Sequence, residues 1–162
     1  MDTTTGVTVI DTTVFIIDLR YKRDKHFAVN RAFLAWIART RSGATTLFNL
    51  LEVCGILSFN LNEKQLQELF SYFPQRYAVE VLPHTTLQSP LPILQTRDLF
   101  RVISGKTSFG DALIIAAVEK YLSKATHFVS WNARHFVGRF AIPSLTPKEF
   151  LEQHAPETLR SS

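Results

Sequence analysis

Cysteine is almost missing from this chain: Cys54 is the single example in 162 residues. One thiol excludes an internal disulfide. Its place in the apolar run Leu50-Leu51-Glu52-Val53-Cys54-Gly55-Ile56-Leu57 reads as a small buried hydrophobe in a reducing compartment. Long hydrophobic runs are missing too. No stretch approaches the roughly 18 apolar residues that a membrane-spanning helix requires. Met1-Asp2-Thr3-Thr4-Thr5 also lacks the basic and apolar regions of a signal peptide, so a soluble, cytoplasmic protein without membrane association is expected. Internal repeats and low-complexity linkers are absent. The histidines (His26, His84, His127, His135, His154) show no HExxH or other ligand spacing and read as surface or packing residues. Acidic residues are outnumbered, 14 against 18 basic, for a net charge of +4 and a pI near 9.4. That balance favours an anionic partner, either nucleic acid or an acidic protein.

Hydrophobic material, by contrast, is plentiful. It makes up 46% of the residues and includes thirteen Phe, enough for one core, while the length argues against two. We expect one domain over residues 5–150, with residues 151–162 a helix end and a flexible tail from His154 onward. The apolar period switches repeatedly between strand-like and helix-like. Val7-Thr8-Val9-Ile10 reads as a buried first strand ending at Asp11. Helical spacing runs from Asp24 to Thr40 and breaks at Arg41-Ser42-Gly43. A second helix is expected from about Thr46 to Ser58. A third follows the capping-box pattern Asn62-Glu63-Lys64-Gln65 and should stop at Pro74. Ala78–Leu82 resembles a strand, and Pro83–Pro92 an irregular loop. Helices should cover Leu94–Ile103 and the run opened by Ser108-Phe109-Gly110-Asp111. His127–Ser130 reads as a strand, and Pro147 suits the first turn of a last short helix. Strands alternating with helices predict an α/β fold, a mostly parallel sheet with helices on both faces. In such sheets polar residues at the carboxyl ends of the strands converge on one crevice.

Three carboxylates sit beside or inside strongly apolar sequence: Asp11, Glu52 and Asp111. Burying such groups is costly unless something cationic or hydrogen-bonding faces them. Several at one crevice repel one another unless a divalent cation holds them, and an all-oxygen set suits Mg²⁺ or Mn²⁺. Structural readings stand beside this one. Asp11 could close the turn through Thr12 and Thr13, Glu52 could lie on a helix surface, and Ser108-x-x-Asp111 has capping-box form.

Order and context bring these residues into a family pattern. Val9-Ile10-Asp11-Thr12-Thr13-Val14-Phe15-Ile16 resembles the opening of PIN domains, in which a strand ends in Asp and a polar turn leads into a helix. Asn49-Leu50-Leu51-Glu52-Val53 is similar to the second motif. Phe109-Gly110-Asp111-Ala112-Leu113-Ile114 resembles the third, and Phe128-Val129-Ser130-Trp131-Asn132-Ala133-Arg134-His135-Phe136 the fourth. The resemblance spans about residues 5 to 150. It implies a single-domain PIN-like fold and a Mg²⁺- or Mn²⁺-dependent endoribonuclease, similar to VapC-type toxins of toxin–antitoxin pairs. It further implies a small antitoxin partner and a homodimer. Asp11, Glu52 and Asp111 would be the metal-binding, catalytic carboxylates, with Asn132 at the fourth catalytic position as a neutral ligand or hydrogen-bond donor. Thr13, Asn49 and Ser130 would support them. Two departures stand out: Thr13 occupies a place where many members carry Asn, and Asn132 brings no negative charge.

The chemistry so implied is hydrolysis of an RNA phosphodiester by in-line attack of a metal-activated water, with Glu52 as ligand or proton acceptor. Cations must then hold the RNA backbone. Arg20, Lys22, Arg23 and Lys25 follow the first motif; Arg97, Arg101 and Lys106 precede the third; Arg134 and Arg139 follow the start of the fourth. Arg20, Arg101, Lys106 and Arg134 are the chosen substrate-binding candidates. Trp131 could stack on a base or pack beside the fourth motif. A second reading is a catalytically silent PIN-like module that binds RNA or protein, kept open by Thr13 and Asn132. A third, a phosphate-accepting receiver domain, lacks the expected lysine where the late strand ends at Ser130-Trp131-Asn132.

Overall fold

The strand Val7–Ile10 (β1) lies at the centre of a five-stranded, all-parallel sheet, and its side chains alternate between two hydrophobic layers. Val9 packs into one core with Ala44, Ile115, Val118 and Phe128. Its neighbour Ile10 packs into the other with Val14, Phe33, Leu50, Phe73 and Val129. This period-two alternation, with both faces apolar, is what a parallel sheet covered on each side requires. The computed structural model describes residues 6–160; the expectations placed on Met1–Thr5 and on Ser161–Ser162 lie outside the described residues.

The other strands are Gly43–Thr46 (β2), Glu80–Leu82 (β3), Ala125–Val129 (β4) and Ser144–Leu145 (β5), in the spatial order β3-β2-β1-β4-β5. The helices are Thr12–Arg20 (α1), Phe27–Thr40 (α2), Leu47–Leu57 (α3), Glu63–Tyr77 (α4), Thr96–Ser104 (α5), Phe109–Tyr121 (α6), Pro147–His154 (α7) and Glu157–Arg160 (α8). The predicted α/β class, a parallel sheet flanked by helices, is therefore the observed one. From β1 the chain builds outward through β2 to β3, then returns to the opposite side of β1 for β4 and β5. The order thus reverses between β1 and β4, the place where parallel sheets open a crevice at their carboxyl ends. Asp11 and Ser130 follow those two strands directly.

Several elements differ from the sequence expectation, each for a physical reason. The sequence suggests no strand between the break at Arg41-Ser42-Gly43 and the helix from about Thr46, yet Gly43–Thr46 is a fully buried strand. Small residues are what its position between β1 and β3 accommodates. A Cβ added at Gly43 would meet Ile37 Cγ2 at 2.5 Å and Val79 Cγ1 at 2.9 Å. The third predicted helix does not stop at Pro74, which lies inside α4. An interior proline costs on the order of 3 kcal/mol. Here the final turn is held by packing: Phe73 and Tyr77 close on Phe15 with ring centroids 4.7 and 4.9 Å away, and the Tyr77 hydroxyl donates to Asp18 at 2.7 Å. The helix ends instead at Ala78, in the left-handed region. Where a tail is expected from His154 onward, residues 157–160 form α8, Ala155 is fully buried, and Leu159 packs against the core.

The crowding at Gly43 generates a test. Gly43→Ala should destabilise the fold by about 1–3 kcal/mol through overpacking, measured as a lower urea midpoint with unchanged m-value.

Candidate active site

Asp11 stands at the N-cap of α1, 4% exposed, where the backbone leaves β1 and turns into the helix. Its own N–H donates to Val129 O at 2.9 Å, which extends the β1–β4 ladder by one bond and fixes the residue in place. Among the described residues the carboxylate receives only neutral donors. Asn49 Nδ2 donates to Oδ1 at 3.1 Å and the Ser130 hydroxyl donates to Oδ2 at 2.7 Å. Three distant segments therefore meet on one side chain: the first motif, the first turn of α3, and the exit of β4.

Asn49 is itself fully committed. Its amide also donates to Thr12 Oγ1 at 3.1 Å, and its Oδ1 accepts from the Thr46 hydroxyl at 2.7 Å and from the Thr46 N–H. Thr46 in turn caps α3 by accepting from the Asn49 N–H. With two donors and both acceptor lone pairs used, the amide cannot rotate without losing several bonds. The α3 cap and the grip on Asp11 are one network.

Proton counting also orients the other side. With Asp11 ionised, the single Ser130 proton goes to Asp11, so at the 3.3 Å contact between the Thr13 and Ser130 hydroxyls Thr13 must be the donor. Thr13 Oγ1 accepts from the Trp131 N–H at 3.0 Å, and Ser130 Oγ accepts from the Asn132 N–H at 2.9 Å. Thr13, a departure from the family pattern in sequence, is here the link between the turn after β4 and the serine that faces Asp11.

Burial pushes the Asp11 carboxyl up to about 6, with the negative charges of Glu52 and Asp111 adding to the rise and the bonds from Ser130 and the Thr12 backbone opposing it. Glu52 and Asp111 thus stand within electrostatic reach of Asp11. Glu52 is exposed one turn beyond Asn49 on α3. Asp111 is half-buried in the first turn of α6, where its N–H donates to Ser108 Oγ at 3.3 Å. Ser108 is thus the N-cap of α6, with the backbone half of the expected capping box formed, and Asp111 stands in the first turn. Among the described residues, no three His, Cys, Asp or Glu side chains are arranged to hold a metal ion. Asp11, Glu52 and Asp111 offer oxygen donors, the charges of Glu52 and Asp111 disfavour that of Asp11, and among the described residues no cationic side chain is bonded to Asp11; an oxygen-only set of this kind is the chemistry a hard cation prefers. Asn132 is exposed at the head of the 3-10 turn Ala133–His135.

The cationic candidates fall into two groups. Arg20, the last residue of α1, and Lys22, Arg23 and Lys25, between α1 and α2, are exposed without an ion-pair partner among the described residues, and the Arg20 guanidinium lies 5.8 Å from the centroid of the Tyr21 ring. Arg134 is exposed two residues beyond Asn132. Lys106 is exposed in a left-handed turn before α6. Arg101 differs, because it is paired with Glu119 at 2.8 Å. A cavity of about 480 Å³ lies away from these residues, lined in part by Phe70, Pro74, Val81, His84 and Thr86.

No protein-family model matches the sequence, and no curated protein does. Solved structures do. Mycobacterium tuberculosis VapC20, a toxin that cleaves the sarcin–ricin loop, superposes with a TM-score of 0.55 at 12% identity, over 83% of this chain and 96% of its own. FitAB bound to a DNA fragment superposes with a TM-score of 0.54 at 13% identity, over 87% and 95% of the two chains. The chain has the PIN-domain fold. On that PIN fold, sequence reasoning located Asp11, Asn49 and Ser130, which the structure joins directly. It passed over Thr46, although Thr46-x-x-Asn49 is a legible capping pattern. It also passed over Asn30, whose role depends on contacts made across the fold. No helix among the described residues is long and apolar enough to cross a membrane.

The buried carboxyl has a pH signature. Asp11 takes up its proton near pH 6 in the folded chain but near its ordinary 3.8 when unfolded. The folded state is therefore favoured most below about pH 4 and loses that advantage as pH rises through 6. At about 1.4 kcal/mol per unit, the cost at pH 8 is on the order of 2–3 kcal/mol. In chelator-treated protein, Asp11→Asn should raise the urea midpoint at pH 8, and the gain should shrink toward zero at pH 4. An equal gain at both pH values would show that Asp11 is not desolvated as described.

Proposed function

We propose that this chain is a Mg²⁺- or Mn²⁺-dependent endoribonuclease acting in the cytoplasm, the toxin of a toxin–antitoxin pair. One observation carries the reading: a buried, orientation-locked carboxylate at the switch point of a PIN fold, bonded only by neutral donors and raised further by two neighbouring acids. A binding surface for a polyanion gains nothing from converging negative charge, whereas a cation site requires it.

In this reading Asp11, Glu52 and Asp111 hold the cation, and Asn132 offers a neutral oxygen or N–H at the rim. The cation, when bound, supplies Lewis-acid stabilisation of the phosphoryl oxygens and makes water a competent nucleophile near neutral pH. Asn49 and Ser130 keep both oxygens of Asp11 in fixed directions. Glu52, exposed on α3, ligates the cation or accepts a proton from the attacking water. Arg20, Lys22, Arg23, Lys25, Lys106 and Arg134, all exposed, bind backbone phosphates. Arg101 contributes less, since its guanidinium is engaged by Glu119.

The cleavage of the sarcin–ricin loop by VapC20 makes a structured RNA loop the first substrate class to test. A small antitoxin and a second copy of the chain are the proposed protein partners. Exposed Phe100, Ile103 and Phe109 supply apolar surface for one of them.

The deciding experiment incubates a pool of structured RNAs with wild type, Asp111→Asn and an EDTA control. Metal-dependent cutting should fall by at least about 100-fold in the variant. Equal cutting by wild type and variant would remove Asp111 from the site. If a folded, antitoxin-free wild type cuts nothing, the silent binding module becomes the better account.

A further inference from the structure

Asn30 and Trp131 belong to neither the acid cluster nor the cationic rim, yet the structure ties both to each. Asn30 is fully buried on α2. Its Nδ2 donates to Val14 O at 2.8 Å, in the first turn of α1, and its Oδ1 accepts from Trp131 Nε1 at 2.8 Å. The Trp131 backbone N–H donates to Thr13, which donates to Ser130, which donates to Asp11. The indole is therefore anchored at both its main chain and its ring. Its ring face is also stacked on His26, with centroids 4.0 Å apart and planes 17° from parallel. His26 is the last residue of the basic segment that begins at Arg20.

We propose that Asn30 and Trp131 are positioning residues: a latch that clamps the Ser130–Asn132 turn onto the first turn of α1 and sets the basic segment in register with the carboxylates. Its catalytic meaning rests on the nuclease reading above. The latch explains why a large aromatic stands between Ser130 and Asn132, where a small residue would leave the turn free to swing. It also makes Trp131 a structural member rather than a free platform for a base, since His26 covers one face and Asn30 holds the edge. A displacement of about 1 Å at the reacting groups is enough to cost on the order of 100-fold in rate, which is the scale on which such a latch acts.

The test compares wild type with Trp131→Phe, which keeps a ring for His26 but loses the indole N–H, and with Asn30→Leu and the double variant. Trp36→Phe, which alters the α2–α7 packing instead, serves as control. Hydrogen exchange should show the Trp131 and Asn132 amides losing about tenfold or more in protection in Asn30→Leu, and the residue-131 and Asn132 amides likewise in the Trp131→Phe variants, while α4 amides keep theirs. With RNA, kcat should fall about tenfold or more at nearly constant KM, and the double variant should resemble either single one. Unchanged protection at 131 and 132 overturns the latch, as does a kcat loss that merely follows the folded fraction. If wild type does not cut RNA, the catalytic half falls with the nuclease reading; the exchange data still decide the latch.

Discussion

A carboxylate has been taken out of water at the centre of this molecule, and much of the surrounding architecture follows from that. Asp11 can be buried only because β1 is the middle strand, with β2 and β4 closing over it from both sides. It can remain there only because its backbone and both oxygens have partners. Among the described residues no cationic side chain bonds it, so its charge is tolerated rather than neutralised. An unfavourable electrostatic position held by surrounding structure is the usual mark of a site built for a ligand rather than for stability.

Stability is supplied elsewhere. Beneath α1, Phe15, Phe73 and Tyr77 form a three-ring cluster, and Tyr77 reaches Asp18 on the same helix. Burial and the neighbouring Asp18 carboxylate push the Tyr77 phenol up, so it stays a donor across the ordinary pH range. The helix whose N-terminus receives Asp11 is thus pinned along its length by apolar contact. Its N-cap residue makes no side-chain capping bond, because the Asp11 carboxylate is turned chiefly toward Asn49 and Ser130. The helix gives up the stabilisation a capped N-terminus normally has, and the aromatic cluster offsets that loss.

Most of this was legible in the sequence where a signal is local. The β-branched run Val7–Ile10, the capping box at Asn62 and Pro147 at the start of α7 are short-range patterns, and the structure repeats them; at the start of α6 it keeps half of one, with the Asp111 N–H donating to Ser108 Oγ. What escaped was decided at long range. β2 has no large hydrophobic residue, so nothing in Gly43–Thr46 announces a central strand; the need for small side chains appears only once Ile37 and Val79 are in place. Pro74 is a helix breaker by itself and an interior residue once Phe15 packs on the following turn. Among site residues, Asp11, Asn49 and Ser130 could be found from motifs. Asn30 could not, since an asparagine in an apolar helix carries no hint that it spans α1 and the turn after β4.

The sheet's outermost strands, β3 and β5, are three and two residues long. So few backbone N–H and C=O groups face outward that neither border offers a useful template for an incoming extended peptide. Strand addition, a common way for sheet proteins to recruit partners, is effectively closed to this domain along its described borders. Association with another chain must proceed through side chains on helices and loops. Surface chemistry on helices and loops can diverge quickly while the sheet stays the same, consistent with a fold recognisable at 12% identity.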